Sequence, residues 1–161
     1  MNFSENPLSD KILGNIRDCA EDAATLIQVA PTQSPSEIVE AVDSFVYRWQ
    51  KGVRPKVDEE DDLSLTLGSL WGEQIVREFK WQWGSVTFHN HGDSKAVAVL
   101  SPDRSLAIYP FHFVYGCMEK GASVTIMLAY NMLKNSNKIP PLPARGYENL
   151  MENVHHIIPR E

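Results

Sequence analysis

His89, His91 and Asp93 fall within one short stretch, FHNHGDS, and are the residues of this chain that look most like the start of a metal site. An H-x-H pair on a strand turns both imidazoles to one face, which is how several such sites begin. Here the pair lies among turn-forming residues with only Asp93 as a nearby third ligand, so solvated turn side chains are expected instead. His155 and His156 are sequence neighbours, and would join a site only if the tail folded back. Glu73 and Arg77 are four apart, a spacing that favours an ion pair worth a few tenths of a kcal/mol on a helix. A buried Glu73 would serve as a general acid or base if desolvation raised its pKa. His112 and Cys117 share a short segment, but an activated thiol needs its base within hydrogen-bond reach, and five helical positions splay them apart. No G-x-S-x-G, H-E-x-x-H or kinase-like set occurs. These groups form no catalytic set, and no cofactor or metal is expected.

The elements that must position them follow from periodicity and punctuation. From Leu8 to about Val29, Ile12, Ile16, Ala20, Ala23 and Ile27 form a helical stripe. Pro31 and Pro35 close that helix. Ser34 is an N-cap candidate, with Pro35 at the first helical position and Glu37 at the third. The helix it opens reaches about Gln50, with Ile38, Val42, Phe45, Val46 and Trp49 inward and Glu37, Glu40 and Asp43 on the opposite side. A third helix spans Leu63 to about Phe79. Gly68 and Gly72 stand one turn apart on it, each costing up to about 1 kcal/mol against Ala, which implies close approach of a neighbouring element. No strand precedes them and no Lys-Ser/Thr pair follows, so they are not a phosphate loop.

Trp81–Phe88 and Ala96–Leu100 flank HNHGDS as a hairpin, Ser101–Arg104 turns again, and Leu106–Tyr109 makes a short third strand. Pro110 stops the sheet, because it has no N–H for the ladder. Phe111–Lys120 is a short helix ended by Gly121, Ser123 offers a cap, and Val124–Leu133 is apolar nearly all round, as a buried helix would be. In the tail, IPPLP suits an extended polyproline segment, while Leu142, Tyr147, Leu150 and Ile157 would anchor it to the body. The expected architecture is therefore one α+β domain over 1–161: a helical part (1–57), a central helix–sheet–helix part (58–134) and a Pro-rich tail packed on them (135–161). Its sheet is a small three-stranded antiparallel one, with the N-terminal helices and a C-terminal helix on one face.

Charge narrows the classes of function. The 161 residues carry a formal net charge of −6, which disfavours a general phosphate-backbone binder. Residues 1–62 hold thirteen acidic against six basic residues, and the remainder eight against nine. Acidity thus belongs to the N-terminal part, and Asp58, Glu59, Glu60, Asp61 and Asp62 form an unbroken run ahead of the third helix. Such a run complements the helix dipole, and it would also face a basic partner. The opening MNFSENPLSDK is acidic where a cleaved export signal would be basic and then apolar. No apolar stretch approaches the ~20 residues that span a bilayer. Cys19 and Cys117 lie far apart in unlike contexts, fitting reduced thiols, with a single bridge still open. A cytoplasmic protein is expected, with neither nucleic acid nor membrane as partner.

Trp49, Trp71, Trp81, Trp83, Tyr109, Phe111, Phe113 and Tyr115 are too many for one short sheet and helix to bury alike. Trp and Tyr left at the surface are the side chains most often found at binding hot spots. From Leu67 to Leu133 the chain resembles a family of small bacterial domains of uncharacterised function. The resemblance rests on an L-G-x-x-x-G-E helix (Leu67, Gly68, Gly72, Glu73), a W-x-W strand (Trp81, Trp83), a Pro-aromatic step (Tyr109, Pro110, Phe111) and the Gly121 turn. It implies an α+β fold and a bacterial cytoplasmic origin, and assigns no activity.

The leading expectation is a non-enzymatic binding protein of the immunity type, neutralising a toxin with a basic active site. Its acidic, aromatic-bearing surface would comprise Asp58, Glu59, Glu60, Asp61, Asp62, Trp81, Trp83, Tyr109 and Tyr115. Two alternatives stand beside it. One is a small-molecule or peptide pocket between the Trp81/Trp83 strand and the helix carrying Glu73. The other is a hydrolase or transferase using Glu73, His112 or a histidine-bound metal. Oligomeric state is open.

Overall fold

A computed structural model describes residues 2–57, 62–135, 139 and 141–152 of the chain. Its elements run β1 (Phe3–Asn6), α1 (Asp10–Ile27), α2 (Pro35–Gln50), α3 (Leu63–Phe79), β2 (Gln82–Phe88), β3 (Ser94–Leu100), β4 (Leu106–Ile108), α4 (Pro110–Lys120), α5 (Ile126–Lys134) and β5 (Glu148–Asn149). The class is α+β, but the sheet differs from expectation. It has five strands in the order β1-β2-β3-β4-β5, antiparallel except that β5 lies parallel to β4. The two added strands sit at the edges. β1 is four residues with one apolar side chain and β5 is two residues, so neither carries the alternation that marks a strand in sequence. Each pairs with the outer edge of its neighbour, β1 with β2 and β5 with β4.

The helix starts obey local chemistry. Ser34 Oγ accepts from the Glu37 backbone N–H while donating to Glu37 Oε1, which fixes the first turn of α2 around Pro35. Asp62 Oδ1 accepts from the Leu65 N–H and caps α3 in the same way. Gly121 closes α4 at φ 71°, a conformation that costs glycine little, and its N–H reaches the Gly116 carbonyl.

The start of α5 departs from the sequence reading, since its N-cap is Thr125 with no side-chain cap and Ser123 plays no such part. Its Met127 N–H instead donates to Asp43 Oδ2 of α2 at 2.9 Å. Asp43, expected on the solvent side of its helix, thus caps a helix 84 positions away in the chain. Burial holds its carboxyl above the ordinary range; the Met127 N–H opposes that rise and Glu40 adds to it. Because the folded pKa is raised, stability falls as pH climbs from the ordinary carboxylate value through the raised one. Asp43→Ala should cost about 1 kcal/mol through the lost cap. Asp43→Asn should keep the acceptor and remove that pH-dependent loss, both read by urea unfolding at several pH values.

α3 is the hub, packed by α1, α2 and α4 and touching β3, while α2 also meets α5. Leu67, Trp71 and Ile75 of α3 are buried with Ile38, Val42 and Val46 of α2, Val99 and Ile108 of the sheet, and Ile126 and Tyr130 of α5. Each fully buried aliphatic side chain contributes about 1.5–3 kcal/mol. Ile12, placed on the α1 stripe by spacing, is 41% exposed. The packed part of that helix begins at Ile16. Alternation sends the next residues of each strand to the far face, where Val86, Ala98, Leu100, Ala107 and Tyr109 form a second cluster with Phe3, Phe88 and Tyr147 packed against it. In the tail, Leu150 and Met151 are buried and Leu142 packs on the main core, while Ile157 lies outside the described residues.

One polar knot ties the edges together. Glu5 of β1 receives Arg104 Nε and Nη2, both at 2.9 Å, and the Tyr147 hydroxyl at 3.0 Å, so β1, the β3–β4 turn and the tail share one carboxylate. Arg104 also donates to Gln82 Oε1 and the Ser101 carbonyl. The Arg104 bonds hold the Glu5 carboxyl below its ordinary value, against the opposing effect of burial. A lowered folded pKa gives stability that is full above the ordinary Glu value and is lost as pH falls through it toward the lowered one. The Glu5 and Arg104 side chains are 24% and 20% exposed. Arg104→Met should therefore cost about 2 kcal/mol at neutral pH and shrink the acid-side loss.

Candidate functional site

Three acidic residues of the N-terminal part lie on two helices that pack together, Asp18 and Asp22 on α1 and Asp62 at the start of α3. The Cys19 thiol of α1 is held above its ordinary value first by burial and then by the carboxylates of Asp22, Asp18 and Asp62. Asp18 and Asp22 are one turn apart on α1, and Asp62 opens α3, so the charges of three exposed residues from two distant segments act on one half-buried thiol. Glu21 is exposed on the same helix. Leu65, whose N–H is held by Asp62, is 37% exposed beside this charge. Asp58, Glu59, Glu60 and Asp61 lie outside the described residues.

The aromatic part of the expected surface is largely inside. Trp81 is 6% exposed and belongs to the main core; Tyr109 is 7% exposed and belongs to the cluster on the opposite face of the sheet. Neither offers a surface for docking. Tyr109 stands in ring contact with Phe88 at 5.7 Å, one strand position beyond Ile108, so alternation turns it away from the helices. Trp83 is half-buried: its ring stacks on Phe111 with centroids 6.0 Å apart, and its Nε1 donates to Glu73 Oε1 at 3.1 Å. Tyr115 is 50% exposed on α4.

The expected pocket between the Trp83 strand and the Glu73 helix is filled, because the Trp83 ring lies where a side chain at Gly72 would stand. Gly68 answers its own expectation more directly: a Cβ there would meet the Pro110 carbonyl carbon at 3.1 Å and Phe111 Cδ1 at 2.7 Å. Glu73 therefore bonds Trp83 and makes no ion pair with Arg77, which donates to the Gln33 carbonyl at 2.9 Å.

The other reactive-looking groups are also accounted for. His89 Nδ1 lies 2.7 Å from Asp93 Oδ1 and Nε2 lies 2.9 Å from Ser4 Oγ, so this ring clasps its turn to β1. His91 is exposed, and no set of three or more His, Cys, Asp or Glu able to hold a metal ion occurs among the described residues. His155 and His156 lie outside them. Cys19 and Cys117 are both free thiols. Cys117 is buried, its thiol pushed up to about 11 chiefly by desolvation, and His112 is exposed on the same helix. A thiol so poised is no nucleophile at neutral pH.

A cleft of ≈ 400 Å³ opens beside Tyr109, between α4, the α4–α5 loop and the segment after β5. Its lining includes His112, Phe113, Ser123, Thr125, Met151 and Glu152. Sequence reasoning did not find it, since its walls come from three segments with no shared motif. No helix of the described residues is long and apolar enough to cross a membrane. Comparisons with protein-family models, with curated proteins and with solved structures return no significant match.

Proposed function

We propose that this chain is a cytoplasmic, non-catalytic binding protein of the immunity type, which neutralises a basic bacterial toxin by covering it with an acidic face built from α1 and the start of α3. The observation that carries this reading is that Asp18 and Asp22 of α1 and Asp62 at the start of α3 are exposed on two helices packed together, with all three charges acting on Cys19. Opposed charge of this kind accelerates encounter with a basic enzyme and sets orientation, more than it adds affinity. Leu65 at the margin supplies exposed apolar area for contact, and Tyr115 is the aromatic of the original set with the most open ring.

The test is association of the full chain with the basic toxin encoded beside its gene, together with survival of cells exposed to that toxin. Tight binding and protection are expected. A chain that neither binds nor protects would remove the immunity role.

A further inference from the structure

A second cleft, of ≈ 360 Å³, lies between α1, α3 and the loop joining α1 to α2, and every residue that lines it is among those described. Its walls follow from helix periodicity. Arg17, Ala20, Glu21 and Ala24 share one face of α1, and Leu70, Glu73, Gln74 and Arg77 share one face of α3. Ala20 and Ala24 are buried, and their short side chains leave a hollow floored also by Ile38 and Leu70. Gln74, in the same lining, is 6% exposed. Its carboxamide makes only two bonds: Nε2 donates to the Leu70 carbonyl at 3.3 Å, and Oε1 accepts from Arg77 Nη1 at 3.5 Å. Both are longer than ordinary hydrogen bonds. One N–H and one lone pair of a nearly buried amide are thus left open, between two residues that line the cleft.

The lining carries two charges of each sign. Arg77 is held by the Gln33 carbonyl, 2.9 Å from its Nη1, which leaves Nη2 and Nε without a partner among the described residues. Arg17 and Glu21 stand one turn apart and are exposed, yet neither side chain makes a hydrogen bond or an ion pair among those residues. Glu73 gives Oε1 to Trp83 and keeps Oε2. A ligand of one charge would meet two like charges here, and a neutral apolar one would take water from four ions and replace none of it. A molecule with both charges and an apolar body answers the whole lining. We propose that this cleft binds a free amino acid with an aliphatic side chain. Its carboxylate lies on the guanidiniums of Arg17 and Arg77, its ammonium on Glu21 and Glu73, and its side chain on the alanine floor, while the open N–H and lone pair of Gln74 complete the polar contacts. Asp18, Asp22 and Asp62 take no part in the lining, so the site stands apart from the acidic face.

Leucine, titrated into the full chain to about 10 mM and followed by NMR chemical shifts, tests this against three fragments of itself. Isocaproate lacks the ammonium, isoamylamine lacks the carboxylate, and glycine lacks the side chain. Leucine should bind, and each fragment should bind at least about tenfold more weakly. Arg17→Gln and Glu21→Gln each remove one charge from an exposed side chain that holds nothing else in place, so the fold is kept. Each should weaken leucine about fivefold, as should Gln74→Met, which removes the open amide. Failure of leucine to bind the wild-type chain would overturn the proposal. So would a fragment that binds as tightly as leucine, or unchanged leucine binding in any of the three variants.

Discussion

Gly72→Ala is expected to lower the stability of this fold by about 2 kcal/mol, whereas Gly14→Ala, the same change in another helix, should raise it by about 1 kcal/mol. In both cases alanine removes backbone freedom from the unfolded chain and improves helix propensity by the same amount. The difference lies in what the new methyl meets. At Gly14 nothing stands within 4 Å. At Gly72 the methyl would collide with the Trp83 ring and stand 3.2 Å from Val99 Cγ2. Trp83 cannot move aside cheaply, because it stacks on Phe111 and donates to Glu73. Overpacking of this kind costs about 1–3 kcal/mol, the broken Trp83–Glu73 bond about 1 more, and the propensity gain returns about 1. Denaturant unfolding of the two variants checks the sign at each site. A stabilised Gly72→Ala would mean that the Trp83 ring is not seated against α3.

Reversing charge on the acidic face should slow association with a basic partner about 10- to 100-fold at low salt without unfolding the chain. Asp18→Lys with Asp22→Lys is the suitable pair, since both side chains are exposed on α1 and lysine is a good helix former. Asp62 is left alone because it caps α3, and its loss would confuse a binding change with a folding one. The effect should fall on the association rate and fade as salt screens it. A loss confined to dissociation would point to a contact surface elsewhere.

Local signals proved reliable where one segment decides its own structure. The bounds of α2 follow from a capping Ser, a proline at the first helical position and an apolar stripe, and those of α3 from an apolar stripe behind an acidic run, none of which depends on the rest of the chain. Gly68 and Gly72 announced close packing because glycine in a helix interior has a cost that something must offset. Features made by distant partners left no such trace. β1 and β5 depend on edges offered by β2 and β4. Asp43 looks in sequence like any polar-face acid until α5 arrives to be capped. The aromatic count suggested that some rings must be exposed, but a second cluster on the far side of the sheet receives Tyr109, and the main core takes Trp81. Of the acidic run expected to face a partner, only Asp62 lies among the described residues, exposed at the start of α3.

The most direct test of the acidic-face account is the association rate constant of the full chain with the basic toxin proposed as its partner, measured by stopped flow from low to high salt. The account predicts a rate that falls steeply with ionic strength for the wild-type chain, and a lower, nearly flat profile for Asp18→Lys/Asp22→Lys. Identical rates and identical salt dependence in the two proteins would contradict it.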